Sequence, residues 1–189
     1  APQGHRAFTR LLREVSQPEY EDLSVCLKEQ LSSIADEYHY QSKRIDEITR
    51  TLSDIAHHHP LCRILLSIPG IGPINATAIY SAIGNGSQFK NGREFAVWLG
   101  LTPKQASSGD KMSSGGITKR GNRYLRKQLV HGARAVLSRS KNKSDRLSRW
   151  TQQLVARRGV PKASVALAAR IARLSWVLLQ KQEPYQPKD

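Results

Sequence analysis

The chain has 189 residues, room for one ordinary domain or two small ones, with a formal net charge of +15 and a sequence pI of about 10.3. A positive surplus of that size calls for a polyanionic partner. Two cysteines, Cys26 and Cys62, in unlike contexts exclude a disulfide framework, and no run approaches about 18 consecutive apolar residues, which excludes an obvious membrane span, nor does a signal-peptide pattern open the chain.

The charge is unevenly placed. Residues 1–59 hold 7 Lys and Arg against 10 Asp and Glu, whereas residues 60–189 hold 23 against 5. The chain therefore divides into a near-neutral arm and a strongly basic body. In order, the expected parts are an N-terminal segment 1–17, a coiled-coil helix 18–59, a helical nucleic-acid-binding body 60–182 and a frayed tail 183–189. The fold class expected is all-α: a long coiled-coil arm followed by a compact helical domain containing a helix-hairpin-helix. No alternating strand pattern stands out.

Within 1–17 a helical turn is expected around Phe8–Val15. Residues 18–59 contain no internal Gly or Pro, and Leu31, Ile34, Tyr38, Gln41, Ile45, Ile48, Leu52 and Ile55 recur at spacings of three and four. That heptad seam predicts one long helix in a coiled coil, hence a homo-oligomer; the other reading is an amphipathic helix packed on its own body. His57, His58 and His59 close this helix before Pro60. Adjacent histidines do not share a helix face, so a cationic helix end is expected there and no metal site.

Leu61–Ile83 reads as a short apolar helix, the turn Ile68-Pro69-Gly70-Ile71-Gly72, and a second helix opening at Pro73. Proline ends the first helix, the glycines allow a cramped backbone, and Pro73 suits a first helical position. Unbonded N–H groups at the second helix start make Gly70, Ile71 and Gly72 candidate phosphate contacts. An ordinary tight connection between helices is the other reading of this turn. After a loop at Gly84–Gly86, a short helix over Asn91–Leu99 is expected, with Phe95, Trp98 and Leu99 facing inward and Gly100 as its cap. Lys104–Thr118 is rich in Ser and Gly and is expected to be an irregular, functional loop. A helix then opens with Asn122 as its N-cap and Leu125, Leu129, Val130, Ala133, Val136 and Leu137 as its buried stripe. Lys119, Arg120, Arg123, Arg126 and Lys127 crowd its start, against the helix dipole, a conflict that a bound phosphate removes. Two more helices are expected, from Ser144 to Arg158 and from Pro161 to Gln180, separated by Gly159.

The five acids of the body, Glu94, Asp110, Asp145, Glu183 and Asp189, are too scattered for a two-metal site, so no metal or other cofactor is expected in this chain. A serine hydroxyl is the remaining nucleophile. It can attack a phosphodiester and store the bond as an ester, provided that cations offset the charge on phosphorus. Ser107 and Ser108, between Lys104 and Lys111, meet that need, as do Ser113 and Ser114 nearby. His131 is a distant candidate for a general base, with a buried helix position as its simpler reading.

Ile68-Pro69-Gly70-Ile71-Gly72-Pro73, Phe89–Leu101, Thr102-Pro103, Ser108-Gly109, Ile117–Asn122 and Leu125-Arg126 occur in that order. Together they resemble the C-terminal domain of the insertion-sequence 110 family of transposases, the bridge-RNA-guided recombinases, and its 1111 subgroup in particular. The resemblance spans roughly residues 60–180, and the arm before them also fits. It implies a two-part enzyme in which an N-terminal RuvC-like domain, absent here, supplies acidic residues and magnesium, and the C-terminal part supplies a nucleophilic serine. That serine carries over to Ser108. Implied partners are DNA, a guide RNA and further copies of the chain, with no membrane, in the prokaryotic cytoplasm at the nucleoid. This chain is then an incomplete piece of the enzyme. The alternative is a non-enzymatic helix-hairpin-helix binding module dimerised by a coiled coil; a basic protein coating nucleic acid without fixed geometry is a third reading.

Overall fold

The computed structural model describes residues 4–15, 23–108 and 111–187, in two compact units, 1–50 and 51–189. The first unit holds α1 (His5–Val15) and most of α2 (Val25–His58). The Oγ of Ser24 accepts from the N–H of Leu27 at 3.3 Å, giving α2 a capped start. The part of the expected long helix over 18–22 lies outside the described residues. Phe8 of α1 meets Tyr38 of α2 edge to face, with ring centroids 4.9 Å apart, and the Tyr38 hydroxyl lies 3.3 Å from that of Thr9. One seam position is thus occupied by α1 of the same chain. Elsewhere on the seam, Ile34, Ile45, Ile48 and Ile55 are 47, 62, 48 and 46 % exposed. At the end of α2, His57 and His58 turn back on their own helix, each with Nδ1 2.7 Å from the carbonyl oxygen four residues earlier.

The second unit is built on α3 (Pro60–Leu66), α4 (Pro73–Ile83), α5 (Gly92–Trp98), β1 (Pro103–Ser108), β2 (Lys111–Ile117), α6 (Arg123–Arg139) and α7 (Arg146–Lys181). Helix α7 is the central element, packed against α3, α5 and α6. It breaks at Gly159 (φ 75°, ψ 161°), where glycine alone takes the backbone without penalty and Pro161 can restart the helix. Ala163, Ala168 and Ala172 are fully buried and let α7 approach its neighbours closely. Leu167, Ile171, Leu178 and Leu179 fill the space between, against Leu65, Ile79, Phe95, Leu99, Leu125 and Leu129. Each such side chain contributes about 1.5–3 kcal/mol by leaving water. The apolar stretch of α7, long enough to cross a membrane by composition, is in large part this core face.

The unit is helical as expected, with two corrections. Lys104–Thr118, expected as irregular, contains two antiparallel strands, with Gln105 opposite Ser114 and Ser108 opposite Lys111, and an irregular step between Pro103 and Gln105. Side chains did not announce them because the pairing uses backbone groups that almost any residue supplies. Gly109 and Asp110 lie outside the described residues. The residues after α7 also depart from the expected frayed tail. Gln182 takes a left-handed turn (φ 55°), and the N–H of half-buried Tyr185 donates to Ser67 Oγ at 2.7 Å.

Candidate nucleic-acid interface

The turn between α3 and α4 is clamped onto α6. Gly70 sits at φ +92°, and a Cβ there would press on Gly132 O and Val136 Cγ2, each 3.0 Å away. Conversely, a Cβ on Gly132 would fall on Gly70 O. Asn75, almost wholly buried, uses its Nδ2 to reach Gly70 O at 3.4 Å and Gln128 O at 3.3 Å. Ile71 is 6 % exposed and serves the core. Of the three turn residues singled out for phosphate, only Gly72 faces open space. It precedes Pro73 at the start of α4, with no side chain to cap the helix.

A second junction joins the end of α5 to the start of α6. Asn91 caps α5 through its Oδ1, which accepts from the N–H groups of Arg93 and Glu94 at 2.9 and 3.0 Å. Gly100 (φ 70°) and Gly121 (φ 91°) let two chain segments touch: a Cβ on the first would strike Arg120 O, and on the second Trp98 O. The N–H of Lys119 donates to Gly100 O at 3.1 Å, and that of Thr118 to Thr102 O at 2.9 Å. Lys119 adopts φ 57°, a left-handed backbone that costs a non-glycine residue about 1 kcal/mol. Arg126 is spent here: its Nη1 donates to Leu99 O at 2.9 Å and reaches Arg120 O at 3.4 Å. It closes the carbonyl end of α5 and is half-buried, which sets it apart from the other cations proposed for nucleic acid.

Lys119, Arg120, Arg123 and Lys127 remain exposed around the start of α6. Among the described residues, no carboxylate lies within ion-pair distance of any of them. Asn122 Oδ1 accepts the N–H of Leu125 at 3.0 Å, fixing the helix start beneath them. The positive end of the helix dipole therefore carries extra positive charge and no counter-ion, an arrangement that favours an anion.

The hairpin of β1 and β2 rises from this junction. Six residues separate Thr102 from Ser108, which at strand rise is about 20 Å. Ser108 and its register partner Lys111 thus lie at the far end of the hairpin, Lys104 lies near its root, and Lys119 and Arg120 lie beyond the root. Closeness in sequence between Ser108 and Lys119 is not closeness in space within the chain. His131 is exposed on α6, not buried as its simpler reading had it.

Two carboxylates of the body, those of Glu94 and Asp145, are engaged at helix starts. Glu94 Oε2 accepts the N–H of Lys90 at 2.8 Å. Asp145 caps α7, accepting from Ser148 Oγ at 2.6 Å and from the N–H groups of Leu147 and Ser148, both at 3.1 Å. The Ser148 hydroxyl bond, with the backbone bonds behind it, holds that carboxyl below its ordinary pKa. Among the described residues, no three His, Cys, Asp or Glu side chains converge on a point. Burial raises the pKa of the Cys62 thiol, which leaves it inert. Sequence reasoning missed Asn75, Gly132 and Arg126 as the groups that hold the two junctions. Only the polar or small character of each, at an otherwise apolar contact, could have indicated them.

Comparison with known proteins agrees with the motif order. Residues 62–149 match the family described as Transposase IS116/IS110/IS902. A protein of Pseudomonas aeruginosa named "Probable family 20 transposase" is 42 % identical over 186 residues, covering 97 % of this chain and 54 % of its own length. The transposase for insertion sequence element IS1111A of Coxiella burnetii is 37 % identical, covering 97 % and 50 % respectively. That for IS1328 of Yersinia enterocolitica is 34 % identical, covering 92 % and 52 %. The chain spans about half the length of these curated relatives. The stretch that matches this transposase family, residues 62–149, includes both junctions and the hairpin.

Proposed function

We propose that this chain is the C-terminal part of a DNA transposase, gripping DNA at the root of the hairpin and presenting Ser108 as the nucleophile for strand cleavage and exchange. The observation that carries the reading is the uncompensated cation group, Lys119, Arg120, Arg123 and Lys127, at the start of α6. Phosphates are its natural counter-ions. Gly72 adds a second, side-chain-free approach at α4, in the manner of a helix-hairpin-helix, which supports a duplex held at two points. In the chemical step, Ser108 Oγ attacks phosphorus, a serine phosphodiester forms, and the proton leaves with the released sugar hydroxyl. Attack by the hydroxyl of another strand reverses the step and rejoins DNA, with no net change in phosphodiester bonds. Lys111 is the cation that the register brings opposite Ser108.

The acids and magnesium of the full enzyme belong, on this reading, to a RuvC-like domain in a longer polypeptide. The relatives' extra length leaves room for it. Exposed seam residues of α2 support assembly of several copies through a coiled coil, and the resemblance to bridge-RNA-guided recombinases supports a guide RNA as a further ligand in the cytoplasm, at the nucleoid. The test is adduct formation by the full-length protein on nicked target DNA. A covalent protein–DNA species should form, disappear in Ser108→Ala, and persist in Ser107→Ala, Ser113→Ala and Ser114→Ala. An adduct that survives Ser108→Ala rejects the assignment.

A further inference from the structure

Trp98 was expected in the core, and the structure places it at the surface. It is 37 % exposed beside Val97, which is 54 % exposed. Its inner side is not free: the ring stacks on Phe95 (centroids 6.1 Å apart, planes 24° apart) and meets Phe89 at 5.7 Å. Phe95 is fully buried, so the indole is seated on an immobile base. The backbone of Trp98 touches Gly121, so the residue that carries this ring adjoins the segment bearing Lys119, Arg120 and Arg123. Arg93 of α5 and Lys90 just before it are also exposed. Glu94, the one acid described there, is tied to the N–H of Lys90. A part-exposed aromatic ring seated on a buried base, on a residue whose backbone adjoins a cationic segment, fits a nucleotide: phosphate to the cations, base to the ring. Bases within a duplex present no free face, so the fit is to an unpaired strand. The other two tryptophans do not share this setting. Trp176 donates its indole N–H to Gly86 O at 2.9 Å, and Trp150 lies under the Arg170 guanidinium, 4.7 Å from its ring centroid.

We propose that Trp98 is a stacking platform for one base of a single nucleic-acid strand whose phosphates lie on Lys119, Arg120 and Arg123. This rests on the nucleic-acid reading above and adds a preference for unpaired strand at the hairpin root. It is tested by titrating the chain with oligothymidylate and with a duplex of equal length, following tryptophan emission and affinity. Oligothymidylate should quench emission in the native chain and not in Trp98→Leu. Trp98→Leu should bind oligothymidylate about tenfold more weakly, with duplex affinity unchanged, and Trp98→Phe, which keeps the packing on Phe95, should fall between. Equal quenching in Trp98→Leu, or equal affinity for oligothymidylate, overturns the stacking while leaving the nucleic-acid reading intact. Failure of the native chain to bind either probe overturns both.

Discussion

Arg123 and Arg126 stand one turn apart on α6 and do different work. Arg126 donates to Leu99 O and Arg120 O and is half-buried, whereas Arg123 is exposed and has no carboxylate partner among the described residues. A charge-assisted bond to a part-buried carbonyl is worth about 1.5–3 kcal/mol. Arg126→Ala should therefore lower unfolding stability by about 2 kcal/mol, read as a lower urea midpoint. Arg123→Ala should leave stability within about 0.5 kcal/mol of the native chain and weaken DNA binding. Equal stability of the two variants would remove the capping role from Arg126. The sequence showed both residues only as positive charge at a helix start. Which one is committed to the fold depends on where the end of α5 lies, and spacing does not report that. Gly70 is a parallel case: its glycine requirement was legible, yet the cause is contact with Gly132, 62 positions further on, as well as a left-handed backbone.

At the scale of elements, helix caps and breaks were the most legible features. Asn91 and Asn122 cap the helices where side-chain chemistry predicts, and Gly159 with Pro161 divides α7 as expected. Local signals sufficed because each acts within a few residues. The hairpin was not legible. Its strands carry no alternating apolar face, and among their described side chains only Ile117 packs on the core. Trp98 failed for a related reason: apolar neighbours in sequence say nothing of which side of a seven-residue helix meets water. The cap of α7 gives a pH test. Asp145 has its folded-state pKa lowered, so its stabilising effect is present above the ordinary carboxylate value of about 3.9 and fades as pH falls through the lower folded value. Asp145→Ala should cost about 1 kcal/mol at neutral pH, and the gap between variant and native chain should close on acidification below about pH 4. A gap independent of pH would contradict that account of the cap.

For the molecule as a whole, charge divides the chain at residue 59 into a near-neutral arm and a basic body, whereas the compact units are 1–50 and 51–189, with the boundary inside α2. The arm keeps an exposed apolar stripe. The body concentrates cations without a carboxylate partner among the described residues at the start of α6, beside a glycine-paired junction and the root of the hairpin. Motif order pointed to the transposase family that residues 62–149 match, and charge pointed to the basic surface. That Ser108 stands at the far end of the hairpin, about 20 Å of extended strand from Thr102, came only from strand pairing. Under the proposed function, the labour is divided between a gripping root and a reactive tip. The salt dependence of DNA binding measures the grip most directly. Replacing Lys119, Arg120, Arg123 and Lys127 together by alanine should flatten the slope of log affinity against log salt by about three to four, near 0.9 for each phosphate left without its cation. An unchanged slope would mean that DNA is held elsewhere on the chain and that the start of α6 is not the interface.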